Sequence, residues 1–181
     1  MQATQFLIST LFDLYMMAVI LRIWLQLTRA DFYNPVSQFV VKITNPVLIP
    51  LRRIIPGFAG IDWAGIVLLF LVGFGKVSLL QTLYGVGFPV PQVLIASGVS
   101  IIKEVFSIIF WVMLIRVILS WVSQGYNPIE ALLHQLTEPM LNPIRRVLPD
   151  MGGFDLSIMV FLIGLKFVEL GFQDLLNSLL N

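Results

Sequence analysis

Cysteine is absent from this 181-residue chain, and histidine occurs once, as His134. The first absence excludes disulfides, thiolate metal centres and cysteine nucleophiles; the second excludes a metal site built from several imidazoles. Charge is scarce as well. Asp, Glu, Lys and Arg make up 12% of the residues, about half the share of an ordinary soluble domain. The formal net charge of +1 gives no basis for a nucleic-acid partner. There is no glycine-rich phosphate loop, no catalytic-triad spacing and no cluster of metal ligands, so the expectation is a protein without cofactor or metal that is not an enzyme. No Lys or Arg precedes Arg22. The basic region that opens a secretory signal peptide is therefore missing, and the first apolar run is expected to stay as a membrane helix.

What is plentiful is apolar residue, 58% of the chain. That is a membrane composition. Runs long enough for a hydrocarbon core of about 30 Å occur at 4–27, 63–84, 101–122 and 156–178. The third lies inside a longer run, 92–122, which would extend about 46 Å as a helix. Such a run must tilt, break near Gly98, or begin as an interfacial segment over 92–100. Near the end of the first run, Arg22 is placed to snorkel and Trp24 to sit among headgroups. Trp24, Trp63, Trp121, Tyr33 and Tyr126 read as an aromatic belt on one boundary, with Tyr84 at the other. Gly73 and Gly75 allow close helix contact in the second run.

The chain also repeats itself. Residues 33–62 and 126–155 align without a gap at an offset of 93. Tyr33, Asn34, Pro35, Thr44, Pro46, Leu48, Pro50, Arg52, Arg53, Pro56, Gly60 and Asp62 are matched by Tyr126, Asn127, Pro128, Thr137, Pro139, Leu141, Pro143, Arg145, Arg146, Pro149, Gly153 and Asp155. Asn34 before Pro35, and Asn127 before Pro128, are helix starts: the amide caps free backbone donors, and proline suits the first helical position. Val36, Phe39, Val40, Ile43 and Val47 then fall on one helical face, as do Ile129, Leu132, Leu133, Leu136 and Met140. About ten residues give a helix of roughly 15 Å, too short to cross, so it is expected to lie in the interface. Pro46, Pro50 and Pro56 are expected to forbid any long regular helix beyond it. Asp62 and Asp155 stand where they can cap the spans that follow.

The expected fold class is thus an all-α membrane protein of two tandem same-orientation repeats, residues 1–90 and 91–181. Each holds a transmembrane helix, an interfacial amphipathic helix with a Pro/Arg-Arg turn, and a second transmembrane helix, four spans in all. All seven arginines and Lys42 lie at or in the two repeat loops. By the excess of basic residues on the cytoplasmic side, these loops are expected inside and both termini outside.

Two constellations could carry chemistry. In the first, the pairs Arg52–Arg53 and Arg145–Arg146 are framed by prolines and suit phosphate, a lipid headgroup or a partner protein. They serve equally as topology anchors that pair with Asp62 and Asp155. The second constellation is the set of ionisable residues inside the spans: Asp13, Lys76, Lys103, Glu104, Lys166 and Glu169. Charges at that depth are either paired for packing or part of an ion path. Lys166 and Glu169, three apart, can pair on one helix. His134 reads as a solvated or headgroup-facing residue.

The doubled motif carries a resemblance. Two apolar hairpins each bearing Tyr-Asn-Pro, Pro-[Leu/Ile]-Arg-Arg-x-[Ile/Leu]-Pro and Gly-x-Asp resemble the YggT family of small bacterial membrane proteins over nearly the whole chain. The resemblance implies an integral inner-membrane protein, with relatives in cyanobacteria and plastids. It links bacterial members with osmotic and potassium homeostasis and with cell-division gene neighbourhoods, and plastid members with cytochrome b6 maturation and nucleoid organisation. It brings no catalytic residues. Two functions stay open: a membrane scaffold or assembly factor whose basic face meets anionic headgroups or a membrane-protein partner, and a homo-oligomeric potassium or proton permeation protein.

Overall fold

In a bilayer, a long apolar run can satisfy its backbone polar groups only by bonding them within itself, so such runs become helices. The computed structural model describes residues 2–58, 60–85, 89–122, 127–147 and 155–180. Among these residues lie six helices: α1 (Gln2–Leu27), α2 (Pro35–Ile54), α3 (Trp63–Leu83), α4 (Val90–Val122), α5 (Pro128–Arg145) and α6 (Leu156–Leu180). Four of them, α1, α3, α4 and α6, are long and apolar enough to cross a membrane. Their outward side chains agree with that environment. Phe6 on α1 is 72% exposed and Phe167 on α6 is 77% exposed, positions that only a surrounding apolar phase would favour. The chain is accordingly a multi-pass membrane protein by the length and composition of its helices.

α4 runs unbroken through Gly98 for 33 residues, or about 50 Å. A break at that glycine is therefore excluded, which leaves tilt or an interfacial start.

α2 and α5 correct the reading of the prolines. α2 continues through Pro46 and Pro50 to Ile54, and α5 through Pro139 and Pro143 to Arg145. Each proline removes one helical hydrogen bond and frees the carbonyl four residues earlier. Spaced four apart, each pair lies on one edge of its helix, and all four prolines are exposed. The lost bonds therefore fall on the outer edge, where water or headgroups can reach the freed carbonyls, and the packed side keeps its ladder. Pro56 does lie beyond α2, after the cap at Ile55. At 20 residues α2 is about 30 Å long, and it is not among the helices apolar enough to cross a membrane.

The face that α2 buries also differs from the most apolar one. Ser37, Val40, Thr44 and Leu48 face inward, whereas Phe39 and Val47 are exposed. Small hydroxylated residues allow close approach once their hydroxyls are bonded. Ser37 Oγ donates to the Asp31 carbonyl at 2.8 Å, and Thr44 Oγ1 to the Val40 carbonyl at 2.8 Å. In α5, Leu132, Leu133 and Leu136 are buried together with Thr137 and Leu141, and Ile129 is exposed.

The helices pack as two compact units, residues 1–105 and 106–181, with α4 continuing from one into the other. In unit 1, Met16, Val19, Leu25, Leu48 and Ala64 are almost fully buried. Trp24 belongs to this core at 7% exposure and not to an aromatic belt, unlike Trp63, Tyr33 and Tyr84, which are exposed. Glycine permits the close contacts of α3. A Cβ at Gly73 would meet Ile101 of α4 at 3.0 Å, and one at Gly75 would meet Phe12 of α1 at 3.4 Å. In unit 2, Met113, Leu141 and Ile158 form a core cluster, joined by Val117, Met140, Phe161 and Leu162. Trp121 is exposed there. Tyr126, Pro149 and Gly153 of the repeated motif lie outside the described residues.

Both proline-led helices begin at an asparagine cap. Asn34 Oδ1 accepts the Val36 amide at 3.0 Å, and Asn127 Oδ1 accepts that of Ile129 at 2.9 Å. Asn34→Ala and Asn127→Ala are each expected to lower stability by about 1 kcal/mol, read as a drop in the unfolding midpoint of the detergent-solubilised protein.

Candidate functional site

The last turn of α2 and the first turn of α3 are joined by a charge pair. Arg52 Nη2 donates to Asp62 Oδ2 at 2.5 Å, its Nε lies 3.4 Å from Oδ1, and Nη2 also reaches Gln26 Oε1 of α1 at 3.1 Å. Asp62 is buried and at the same time caps α3 through the Gly65 amide at 3.2 Å. Position 65 is tight for anything larger than hydrogen: a Cβ would meet Ile23 at 3.0 Å and Asp62 Oδ2 at 3.1 Å. One carboxylate thus fixes a helix start, and its guanidinium partner ties three helices of unit 1 together.

Unit 2 holds a larger network. Arg145 donates to Asp155, to Glu138 Oε1 at 2.5 Å and to Ser157 Oγ at 3.3 Å. Asp155 accepts from the Ser157 hydroxyl, and from its amide at 3.1 Å. Arg116 of α4 is buried. It donates to Thr137 Oγ1, to Glu138 Oε2 at 3.2 Å and to His134 Nε2 at 2.9 Å. The other ring nitrogen, His134 Nδ1, is 3.1 Å from Glu138 Oε2. These partners fix the tautomer. Nε2 faces a donor and must accept, and Nδ1 faces a carboxylate and must carry the proton.

The electrostatics follow. Burial, and then the Arg116 guanidinium, push the His134 pKa below its ordinary value. Partial burial by itself would raise the Asp155 pKa, but hydrogen bonds from Arg145 and Ser157 outweigh it and hold the carboxyl below its usual range. The Asp155 hydrogen bond in turn raises the pKa of Arg145.

The two arginines of each pair therefore do different things. Arg52 and Arg145 point into the protein as clamps. The side chains of Arg53 and Arg146 are exposed and make no hydrogen bond or ion pair among the described residues. Neighbours that the sequence did not single out are Gln26, Glu138 and Ser157. Nothing in the repeat marked them, since Glu138 and Ser157 stand where the first copy has Asn45 and Ala64. Arg22, like Arg116, is buried and does not snorkel; its guanidinium carbon lies 5.1 Å over the Phe32 ring.

The charges inside the spans fall into local groups. Lys76 Nζ donates to Asp13 Oδ1 at 2.5 Å, joining α3 to α1, and Glu104 of α4 lies within the field of that pair. Lys166 pairs with Glu169 at 2.7 Å along α6, accompanied by Gln173, and its ammonium lies 5.0 Å over the Phe110 ring. Lys103 is exposed. Among the described residues, no group of three metal-ligating side chains comes together.

Comparison with known proteins adds the following. The CCB3/YggT family model matches residues 1–83 and 95–176. A protein of Vibrio alginolyticus, "Uncharacterized protein in proC 3'region", is 52% identical over 182 residues, covering 99% of this chain and 98% of the relative. "Uncharacterized protein YggT" of Escherichia coli K12 is 44% identical over 178 residues, covering 98% and 93% respectively. No solved structure matches.

Three outcomes are expected from the networks. Asp62→Asn keeps a capping side chain but removes the charge, leaving the Arg52 guanidinium without its carboxylate. A loss of about 3 kcal/mol in unfolding stability is expected, and Asp62→Glu should recover part of it. For His134, the folded pKa lies below an unfolded value of about 6.5. The unfolded chain therefore takes up a proton that the folded one refuses, and stability falls as pH drops through that window. His134→Gln should flatten this part of the profile. The depressed Asp155 contributes stability above its unfolded pKa of about 3.9, and loses it only as pH falls below that value.

Proposed function

The chain belongs to the CCB3/YggT family, and from that premise we propose that it is a non-enzymatic scaffold or assembly factor of the bacterial inner membrane, with a role in osmotic or cell-envelope homeostasis. Its repeat loops face the cytoplasm and both termini lie outside. The observation that carries this reading is the division within each arginine pair. Arg52 and Arg145 hold the helix ends in place, and Arg53 and Arg146 stand outward on those fixed ends. A guanidinium on a rigid support can meet phosphate or carboxylate in a set geometry. The chemistry of such a face fits anionic headgroups or an acidic segment of a membrane-protein partner.

The ionisable residues of the spans support packing over conduction. Asp13 and Lys76 neutralise each other across two helices, and Lys166 and Glu169 do so along one. A homo-oligomeric potassium or proton path would have to break these pairs to use them.

The double variant Arg53→Gln/Arg146→Gln is expected to keep the wild-type membrane level and unfolding midpoint. It should weaken association with anionic vesicle surface or a cross-linked partner by about 1 kcal/mol per arginine, roughly fivefold each. Unchanged association would argue against the scaffold surface. In liposomes, potassium or proton flux abolished by Asp13→Asn or Glu169→Gln would replace it with the permeation reading.

A further inference from the structure

His134 is the one group of the unit 2 network whose charge changes near neutral pH. The buried Arg116 of α4 is held by three acceptors on α5: Thr137 Oγ1, Glu138 Oε2 and His134 Nε2. A hydroxyl and a carboxylate remain acceptors well into the acid range. The imidazole does not. It accepts Arg116 Nη2 at 2.9 Å through the very lone pair that a proton would occupy.

Protonation leaves the other ring nitrogen content. Nδ1 already donates to Glu138 Oε2 at 3.1 Å, and the added charge strengthens that bond. At Nε2, two donors, each on a cation, would face each other across 2.9 Å, so one must withdraw. Burial decides which. The Arg116 side chain is 5% exposed and keeps Thr137 and Glu138, whereas the His134 side chain is 54% exposed and has an open way to water. The charges around the ring place this event on the acid side. Arg116 of α4 and Arg145 of α5 oppose an imidazolium, and Glu138 and Glu130 of α5 favour it. Asp155, ahead of α6, is taken up by Arg145. Burial adds to the opposition, so the ring protonates below its ordinary value of about 6.5. Unit 1 carries no counterpart, since Val41 stands at this register.

We infer that His134 is a proton-operated catch between α4 and α5: the neutral ring holds the buried Arg116 guanidinium, and the imidazolium lets it go and turns outward about its contact with Glu138. The second unit thereby responds to the pH of the aqueous side that α5 faces. The catch is independent of the outward arginines Arg53 and Arg146 and of the reading built on them.

Because the chain has a single histidine, the test is nuclear magnetic resonance of the full chain in detergent with that residue isotope-labelled. At about pH 8 the ring is expected as the Nδ1–H tautomer, with Nε2 free of a proton. Acid should convert it to the imidazolium with a midpoint below about 6.5. Over the same range, broadening of the Cε1–H signal by an uncharged, water-soluble gadolinium chelate should rise about twofold, as a ring at 54% exposure becomes a free one. Arg116→Gln removes the opposing cation and should raise the midpoint by about one pH unit. Its amide can turn an oxygen toward the imidazolium, so the rise in broadening should vanish. An Nε2–H tautomer at about pH 8, or protonation with unchanged broadening, would overturn the inference. So would a folded Arg116→Gln variant that titrates and moves as the wild type does. If that variant fails to fold, the two wild-type measurements decide by themselves.

Discussion

A guanidinium leaves water at a heavy cost unless a counter-charge and acceptors meet it, and the Arg52–Asp62 and Arg145–Asp155 pairs are arranged around that requirement. Asp62 and Asp155 meet it while also standing at the start of a spanning helix, where the helix dipole favours a carboxylate. Each aspartate thus couples two demands: the cation must be neutralised, and the next span must begin at a fixed place. The interhelical bonds of Arg52 to Gln26, and of Arg116 to Thr137 and His134, depend on the same guanidinium groups being held.

The prolines belong to this arrangement in a way their usual effect conceals. A proline inside a helix is disruptive when the freed carbonyl is buried. Here the spacing of four keeps the freed carbonyls on an exposed edge, and the inner face of α2 retains Val40, Thr44 and Leu48 in contact with the core. The helices therefore extend to Arg52 and Arg145 and deliver the clamps to their aspartates. Had they ended before the second proline of each pair, neither guanidinium would be carried on a helix.

Polar groups within the spans follow the same rule on a smaller scale. Asp13 and Lys76 satisfy each other where α1 and α3 meet, and glycine at positions 73 and 75 allows the close helix contacts of α3. Arg22 stands apart because its own helix neighbourhood lacks the carboxylate that Arg116 finds in Glu138.

The sequence by itself determined the four apolar runs that become the long helices, the limits of three of them to within a few residues, the two asparagine caps and the positions of both aspartates; α4 begins at Val90, ahead of the span expected at 101–122. Those features are local: they depend on apolar length, on a capping side chain beside a proline, and on charge at a helix start. Tertiary structure decided which arginine of each pair turns inward, that Trp24, Arg22 and Arg116 are buried, and that α2 packs on Ser37 and Thr44 while Phe39 faces out. A residue's neighbours from other helices settle these matters, because burial is favourable for a polar group only when its acceptors arrive from elsewhere in the chain. Arg52 and Arg53 are identical in type and adjacent in sequence. They differ because a helix turns about 100° per residue, and only one of the two directions leads to an aspartate.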